Sequence, residues 1–231
     1  IMCLFNKFKD KCSYHLSLFL QIRCYIKLHC LYICVKIKSH TLIIFRRANN
    51  MKKRVLIIGS GYIGLPLAKE LADKGCSVHC IKRAPIEQQN IRFIYTDIQE
   101  PFSLNSEYDI VYYMVSADSH DHPSYKIAYN TGVKNSLDAL KNSIKKPLFI
   151  FVSSTSVFKE NSGGLVDESS PVKNYGFSSN ELLKGEYLVN SSRLDSIIVR
   201  FSGIYGPGRC RIINQVKSNK SNILVLDEMI E

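Results

Sequence analysis

The run Arg54-Val55-Leu56-Ile57-Ile58-Gly59-Ser60-Gly61-Tyr62-Ile63-Gly64-Leu65-Pro66-Leu67-Ala68 sets a β-branched apolar strand before a G-x-G-x-x-G turn and an Ala/Leu-rich helix after it. No other stretch constrains the fold as tightly, because strand, glycine turn and helix form the first half of a mononucleotide-binding βαβ unit. In such a unit the first glycine permits the sharp turn, the second lets a pyrophosphate approach the backbone, and the third lets the helix pack closely on the sheet. The helix N-terminus then faces the phosphates with its N–H groups. Gly59, Gly61, Tyr62, Ile63 and Gly64 are therefore candidate cofactor-binding residues. A purely structural glycine turn is the bland alternative, and the flanking strand and helix argue against it.

Past this turn, apolar periodicity predicts a helix over 63–74 closed by Gly75, then strands over 77–81, 92–95 and 108–115. A helix over 124–143, a strand over 148–153, a helix over 179–190 and a sixth strand over 196–201 follow. Strands alternating with helices imply an α/β fold, a Rossmann-like doubly wound parallel sheet covered on both faces. Ligand chemistry is then expected beyond the carboxyl ends of the strands. The second core strand ends in Lys82-Arg83, about 20 residues past the glycines, where an NAD-selective site offers a carboxylate to the ribose 2′-hydroxyl. Two cations there suit a 2′-phosphate, so NADP is favoured over NAD.

Net charge is +11, which alone invites a nucleic-acid or membrane partner. Its distribution argues otherwise: nine of the 31 Lys/Arg and one of the 20 Asp/Glu lie within residues 1–50. Five of the eight cysteines lie there too, at spacings that fit no metal-ligand pattern, so no metal site is expected. Leu16 to Phe45 is apolar, but Arg23, Lys27, Lys36 and Lys38 interrupt it before about 18 clean apolar residues accumulate. Because Met51-Lys52-Lys53-Arg54 is an ordinary start ahead of the first core strand, residues 1–50 are expected to be a basic, Cys-rich, mis-called upstream extension. Residues 51–231 are then a dinucleotide-binding domain in a cytoplasmic protein without a nucleic-acid partner. A basic membrane-surface anchor is the competing reading of residues 1–50.

Several further segments resemble, in order and spacing, the short-chain dehydrogenase/reductase superfamily in its extended epimerase/dehydratase-like branch, from about Lys52 to Arg211. Asp97 resembles the family's aspartate that meets the adenine, and Ser116-Ala117 the stretch that lines the cofactor. Asn130, within Tyr129-Asn130-Thr131-Gly132-Val133, resembles the helix asparagine that supports the active site. Phe151-Val152-Ser153-Ser154-Thr155-Ser156-Val157 resembles the strand end that carries a catalytic Ser/Thr, which aligns to Ser154. Arg200 to Arg209, with Tyr205-Gly206-Pro207-Gly208, resembles the loop that passes the nicotinamide. The resemblance implies a small-molecule substrate such as a nucleotide-sugar, or a similar carbonyl or hydroxyl compound.

The chain departs from that family at the proton-transfer pair. A phenol ionises near pH 10 and needs a neighbouring cation to act near neutrality, hence the family's Tyr-x-x-x-Lys. Here Asn174-Tyr175-Gly176-Phe177-Ser178-Ser179-Asn180-Glu181-Leu182-Leu183-Lys184 puts Ser179 or Asn180 at the lysine position, according to register. Tyr175 is the first choice for acid/base chemistry, with Asn180 as a ribose ligand. The family's C-terminal substrate lobe is expected to be truncated or absent, since the chain stops at Glu231. The readings carried forward are an NAD(P)-dependent oxidoreductase or epimerase, a non-catalytic NADP-binding sensor or scaffold, and a truncated inactive fragment.

Overall fold

The structure is a computed structural model and describes residues 33–37 (backbone only), 53–86, 88–160, 164–204 and 206–209. Strand β1 (Ile33–Ile37) is followed by β2 (Arg54–Ile58), the glycine turn and helix α1 (Gly64–Asp73). Strands β3 (Ser77–Lys82), β4 (Ile91–Tyr95) and β5 (Ile110–Tyr113) come next. Helix α2 (His122–Lys126) runs through a π-helical turn (Ile127–Thr131) into α3 (Gly132–Leu140). Strand β6 (Leu148–Ser154), a 3-10 turn (Thr155–Val157), α4 (Phe177–Ser191) and β7 (Ser196–Phe201) complete the described elements.

The sheet order is β1-β7-β6-β5-β2-β3-β4. Strands β2 to β7 are mutually parallel, and β1 runs antiparallel along the outer edge of β7, with Ile33 opposite Phe201. From β2 the chain winds outward through β3 to β4, then returns to the other side of β2 through β5, β6 and β7. The order therefore reverses between β2 and β5, the topological switch point of a doubly wound sheet. The sequence assigned no strand to residues 1–50. Here β1 covers backbone groups of β7 that would otherwise form an open edge.

Alternation along β2 shows how the two layers form. Val55 and Ile57 are buried with Ala68 and are packed by Leu65, Leu67 and Leu71 of α1, while Leu56 and Ile58 are buried with Val133, Leu140 and Val189 of α3 and α4. Full burial of one such aliphatic side chain contributes about 1.5–3 kcal/mol. The continuous apolar run predicted as a doubly covered strand thus has one helix layer for each set of alternate residues.

Two boundaries differ from the sequence expectation. The strand expected over 108–115 is only four residues long, Ile110–Tyr113; beyond it Met114 still donates its N–H to the Ile58 carbonyl at 2.8 Å, and the Met114–Val115 backbone backs the glycine turn. The single helix expected over 124–143 is interrupted by the π-helical turn. There the Tyr113 hydroxyl donates to the Ala128 carbonyl, and a Cβ on Gly132 would lie 2.5 Å from that same hydroxyl. Helix and strand are thus close enough that a β5 side chain bonds to the helix backbone, the kind of local departure in which π-turns occur. Helices α1 and α4 and the remaining strands lie within two residues of their expected bounds.

The chain divides into two compact units, Ile33–Phe201 and a second made of Ile1–Tyr32 with Ser202–Glu231. In the second, residues 206–209 close a tight turn in which Gly206 and Arg209 exchange backbone hydrogen bonds at 2.9 and 3.3 Å. Tyr205 and the apolar run 223–226 lie outside the described residues.

Candidate functional site

A cleft of about 280 Å³ opens at the carboxyl ends of β2, β3, β4 and β5, over the switch point. It is lined by Gly59, Ser60 and Gly61 after β2, Lys82 and Arg83 at the end of β3, Asp97 after β4, and Ser116, Ala117 and Asp118 after β5; Ser124, Ile127 and Ala128 come from α2 and the π-turn. Seven residues singled out from the sequence as cofactor ligands thus come together here: Gly59, Gly61, Lys82, Arg83, Asp97, Ser116 and Ala117. Tyr62, Ile63, Gly64 and Asn180 are not among the lining residues. Tyr62 and Ile63 form the turn into α1 and Gly64 begins the helix.

The geometry of the glycine turn explains each of its glycines. Gly59 has φ +95°, and a Cβ there would lie 2.7 Å from the backbone of Met114 and Val115. A Cβ on Gly64 would lie 2.2 Å from the Gly59 carbonyl oxygen, so α1 packs directly on the turn. A Cβ on Gly61 would meet nothing within 4 Å; that position faces open cleft. Between them the Ser60 side chain is buried, and its hydroxyl has no hydrogen-bond partner among the described residues. The first turn of α1 carries no acidic residue and no side-chain cap, so its partial positive charge is not neutralised by its own side chains. An orphaned hydroxyl, an unfilled glycine cradle and a bare helix N-terminus together suit a pyrophosphate-bearing ligand.

Opposite charges meet across the cleft mouth. Arg83 Nη1 donates to Asp118 Oδ2 at 2.7 Å and Nη2 to Oδ1 at 2.6 Å, a two-pronged pair. The guanidinium holds the Asp118 carboxyl below its ordinary range. Asp97 accepts from the Gln99 backbone N–H at 3.0 Å.

The three residues proposed from the sequence for chemistry occupy separate hydrogen-bonding arrangements. Ser154 Oγ accepts from Ser156 N at 3.2 Å and caps the 3-10 turn after β6. The exposed Tyr175 donates its hydroxyl to the Lys159 carbonyl, and Lys173 Nζ stands 4.8 Å from the centre of its ring. Asn130, on the π-turn, donates through Nδ2 to Glu181 Oε2 at 3.4 Å. No hydrogen bond joins Asn130, Ser154 and Tyr175 to one another among the described residues. None of the three lines the cleft. Asn180 donates its backbone N–H to the Gly176 carbonyl in the first turn of α4.

Glu181 was not foreseen. Its side chain is fully buried, and its carboxylate meets Lys184 Nζ at 2.6 Å, His122 Nε2 at 3.3 Å and the Asn130 amide. Burial would push this carboxyl up, but the three partners outweigh it and hold it below its ordinary value. A Cβ on Gly185, one turn further along α4, would lie 2.4 Å from the Tyr129 carbonyl. That close approach fixes which stripe of α4 faces the π-turn, and Glu181 lies on it four residues earlier. Asn180 is rotated about 100° away. The only sequence signal was the small residue at 185. Tyr129, near the Ala117 backbone, is pushed up to about 12 chiefly by burial, which removes it as a proton-transfer group near neutrality.

Deeper in the same unit, Ser153 Oγ, Arg200 Nε and Arg200 Nη2 all donate to the Glu186 carboxylate, at 2.7, 2.9 and 2.6 Å. This buried knot ties α4 to the ends of β6 and β7, beside Ser154. Among the described residues, no group of His, Cys, Asp and Glu could hold a metal.

Known proteins agree with this architecture. A candidate NAD-dependent epimerase/dehydratase from Methylobacillus flagellatus is 30% identical, with a TM-score of 0.61 over 74% of this chain and 62% of its own. UDP-glucuronic acid 4-epimerase from Bacillus cereus, solved with NAD, is 24% identical with a TM-score of 0.55 over 72% of this chain and 64% of its own. MoeE5, solved with UDP-glucose and NAD, is 22% identical with a TM-score of 0.51 over 58% and 47%. The chain thus spans less than two thirds of the length of each. No curated protein matches it. Residues 55–228, from the first core strand onward, match the NAD dependent epimerase/dehydratase family. With the glycine turn at the switch point of a doubly wound sheet, the chain belongs to the NAD-dependent epimerase/dehydratase family.

Proposed function

We propose that the cleft binds NAD(P), with NADP preferred, and that the protein uses it in an epimerase/dehydratase-like oxidoreduction of a nucleotide-sugar or a similar small carbonyl or hydroxyl compound. The observation that carries the reading is the cradle itself: Gly61 open to the cleft, with the unpartnered Ser60 hydroxyl beside it. When bound, the dinucleotide supplies a hydride acceptor or donor. Gly59, Gly61 and the start of α1 hold the pyrophosphate, Asp97 faces the adenosine, and Lys82 and Arg83 attract a 2′-phosphate. Asn130 and Ser154 position the substrate oxygen and Tyr175 exchanges its proton. The nucleotide-sugar preference rests on likeness to MoeE5, solved with UDP-glucose, and to an epimerase named for UDP-glucuronic acid.

A second reading, a non-catalytic NADP-binding sensor or scaffold, is favoured by one specific observation. The α4 residue that reaches Asn130 is the carboxylate Glu181, where a proton-transfer dyad would want a cation beside a phenol. Cytoplasmic residence fits the free thiols of Cys76 and Cys80, and among the described residues no helix is long and apolar enough to cross a membrane.

Titration of the full chain with NADPH and NADH tests the shared premise, and failure of both to bind refutes it. Changing Lys82 and Arg83 together to Ala is expected to weaken NADPH more than NADH; an unchanged ratio removes the NADP preference. Tyr175→Phe is expected to abolish turnover of a carbonyl/alcohol panel while dinucleotide binding persists. Turnover that ignores this change removes the proton-transfer role, and binding without any turnover selects the sensor reading.

A further inference from the structure

We propose that Asp118 is a specificity-determining residue: its carboxylate clasps Arg83 over the glycine turn as an internal anion and restrains the NADPH preference that Lys82 and Arg83 would otherwise impose. The proposal rests on the dinucleotide reading of the cleft.

The clasp follows from sheet order. Strands β3 and β5 flank β2 on either side, and Arg83 and Asp118 follow β3 and β5 respectively. A bond between them therefore spans the exit of β2, where Gly59 to Gly61 begin the cradle. Both residues line the cleft.

The bond uses the donors that matter. Asp118 occupies both Nη1 and Nη2 of Arg83, the forked donor face with which a guanidinium takes a phosphate. A ribose 2′-phosphate seeking Arg83 must displace a carboxylate already seated there and then sit near its charge. A ribose 2′-hydroxyl carries no charge and meets no such competitor. Arg83 and Asp118 are 59% and 63% exposed, so the pair can open to admit a ligand. The four charged side chains that line the cleft, Lys82, Arg83, Asp97 and Asp118, cancel in sign. In the free protein, the two cations that suggested NADP in the sequence thus share the cleft with two carboxylates, one of which, Asp118, is paired with Arg83.

The experiment titrates NADPH and NADH into the full chain, following nucleotide fluorescence, for the wild type, Asp118→Asn, Arg83→Ala and the double variant. Asp118→Asn is expected to tighten NADPH roughly fivefold, the size of one unit-charge contact at solvent-exposed range, with NADH changed less than about twofold. In the Arg83→Ala background the same change is expected to bring no gain, since no guanidinium remains to be released. An unchanged NADPH/NADH ratio in Asp118→Asn overturns the proposal while leaving dinucleotide binding intact. An equal gain in both backgrounds overturns it as well, making Asp118 a general repulsive charge rather than a clasp. Failure of wild type and all variants to bind either nucleotide overturns the dinucleotide reading, and this proposal with it.

Discussion

Replacing Glu186 by Gln removes the charge from a carboxylate that serves three donors inside the fold. Arg200 is 4% exposed and Glu186 5% exposed, so water cannot replace what is lost. The change leaves a guanidinium buried against an amide with no counter-charge, and breaking one side of such a pair costs about 3–5 kcal/mol. In a domain of this size each kcal/mol lowers Tm by about 2–4 °C, so a drop of roughly 6–20 °C follows. That is a large share of the total stability of about 5–15 kcal/mol. Thermal unfolding of the full chain followed by far-UV circular dichroism measures it. The double variant Glu186→Leu with Arg200→Met removes both charges and is expected to recover most of the loss, because the desolvation penalty leaves with the pair. A Tm for Glu186→Gln within about 2 °C of wild type, or a double variant no better than the single, refutes the argument.

Gly61→Ala is expected to leave stability within about 0.5 kcal/mol, because its Cβ meets nothing in the free protein; NADH and NADPH binding should fall together, and unchanged affinity removes the pyrophosphate from this turn. Gly64→Ala, whose Cβ would lie 2.2 Å from the Gly59 carbonyl oxygen, is expected to lose about 1–3 kcal/mol in urea unfolding as well as binding. Wild-type stability would show that α1 does not rest on the turn. His79 is buried against the Tyr108 hydroxyl at 2.9 Å, and burial, helped by Arg92 and Arg54, pushes its imidazole below its ordinary value. The unfolded chain then takes up the proton first, so stability is full above about pH 6.5 and falls below it, by at most about 1.4 kcal/mol per pH unit. Urea midpoints measured from pH 7.5 to 5 should show that slope reduced in His79→Gln, and an equal slope in both proteins assigns it elsewhere.

The local plan of the chain was legible because it depends on near neighbours. Gly59, Gly61 and Gly64 mark their turn by spacing alone, and alternating runs mark the strands to within a residue or two, since burial on a pleated or helical surface repeats every two or 3.6 residues. That same periodicity could not show the interruption of the long helix, which arises from the hydroxyl of Tyr113 on a different element. Nor could it show β1, a strand recruited by the edge of β7.

The site divides in the same way. That the carboxyl ends of the strands would gather Lys82, Arg83, Asp97, Ser116 and Ala117 followed from strand order and a general rule of open sheets. Which of them carry a free charge did not, because Arg83 and Asp118 stand 35 residues apart and become partners only when β3 and β5 settle on either side of β2. Likewise the sequence named Asn180 and Glu181 side by side, and a rotation of about 100° per residue, set by the approach of Gly185 to Tyr129, turned Glu181 toward Asn130. The sequence by itself determined a dinucleotide-type glycine turn, the run of elements around it and the lack of a lysine four residues after Tyr175. Only the tertiary structure decided which charges answer one another across the cleft and which face of α4 meets the π-turn, because electrostatic and steric pairing depend on distance in space, which residue spacing along the chain does not encode.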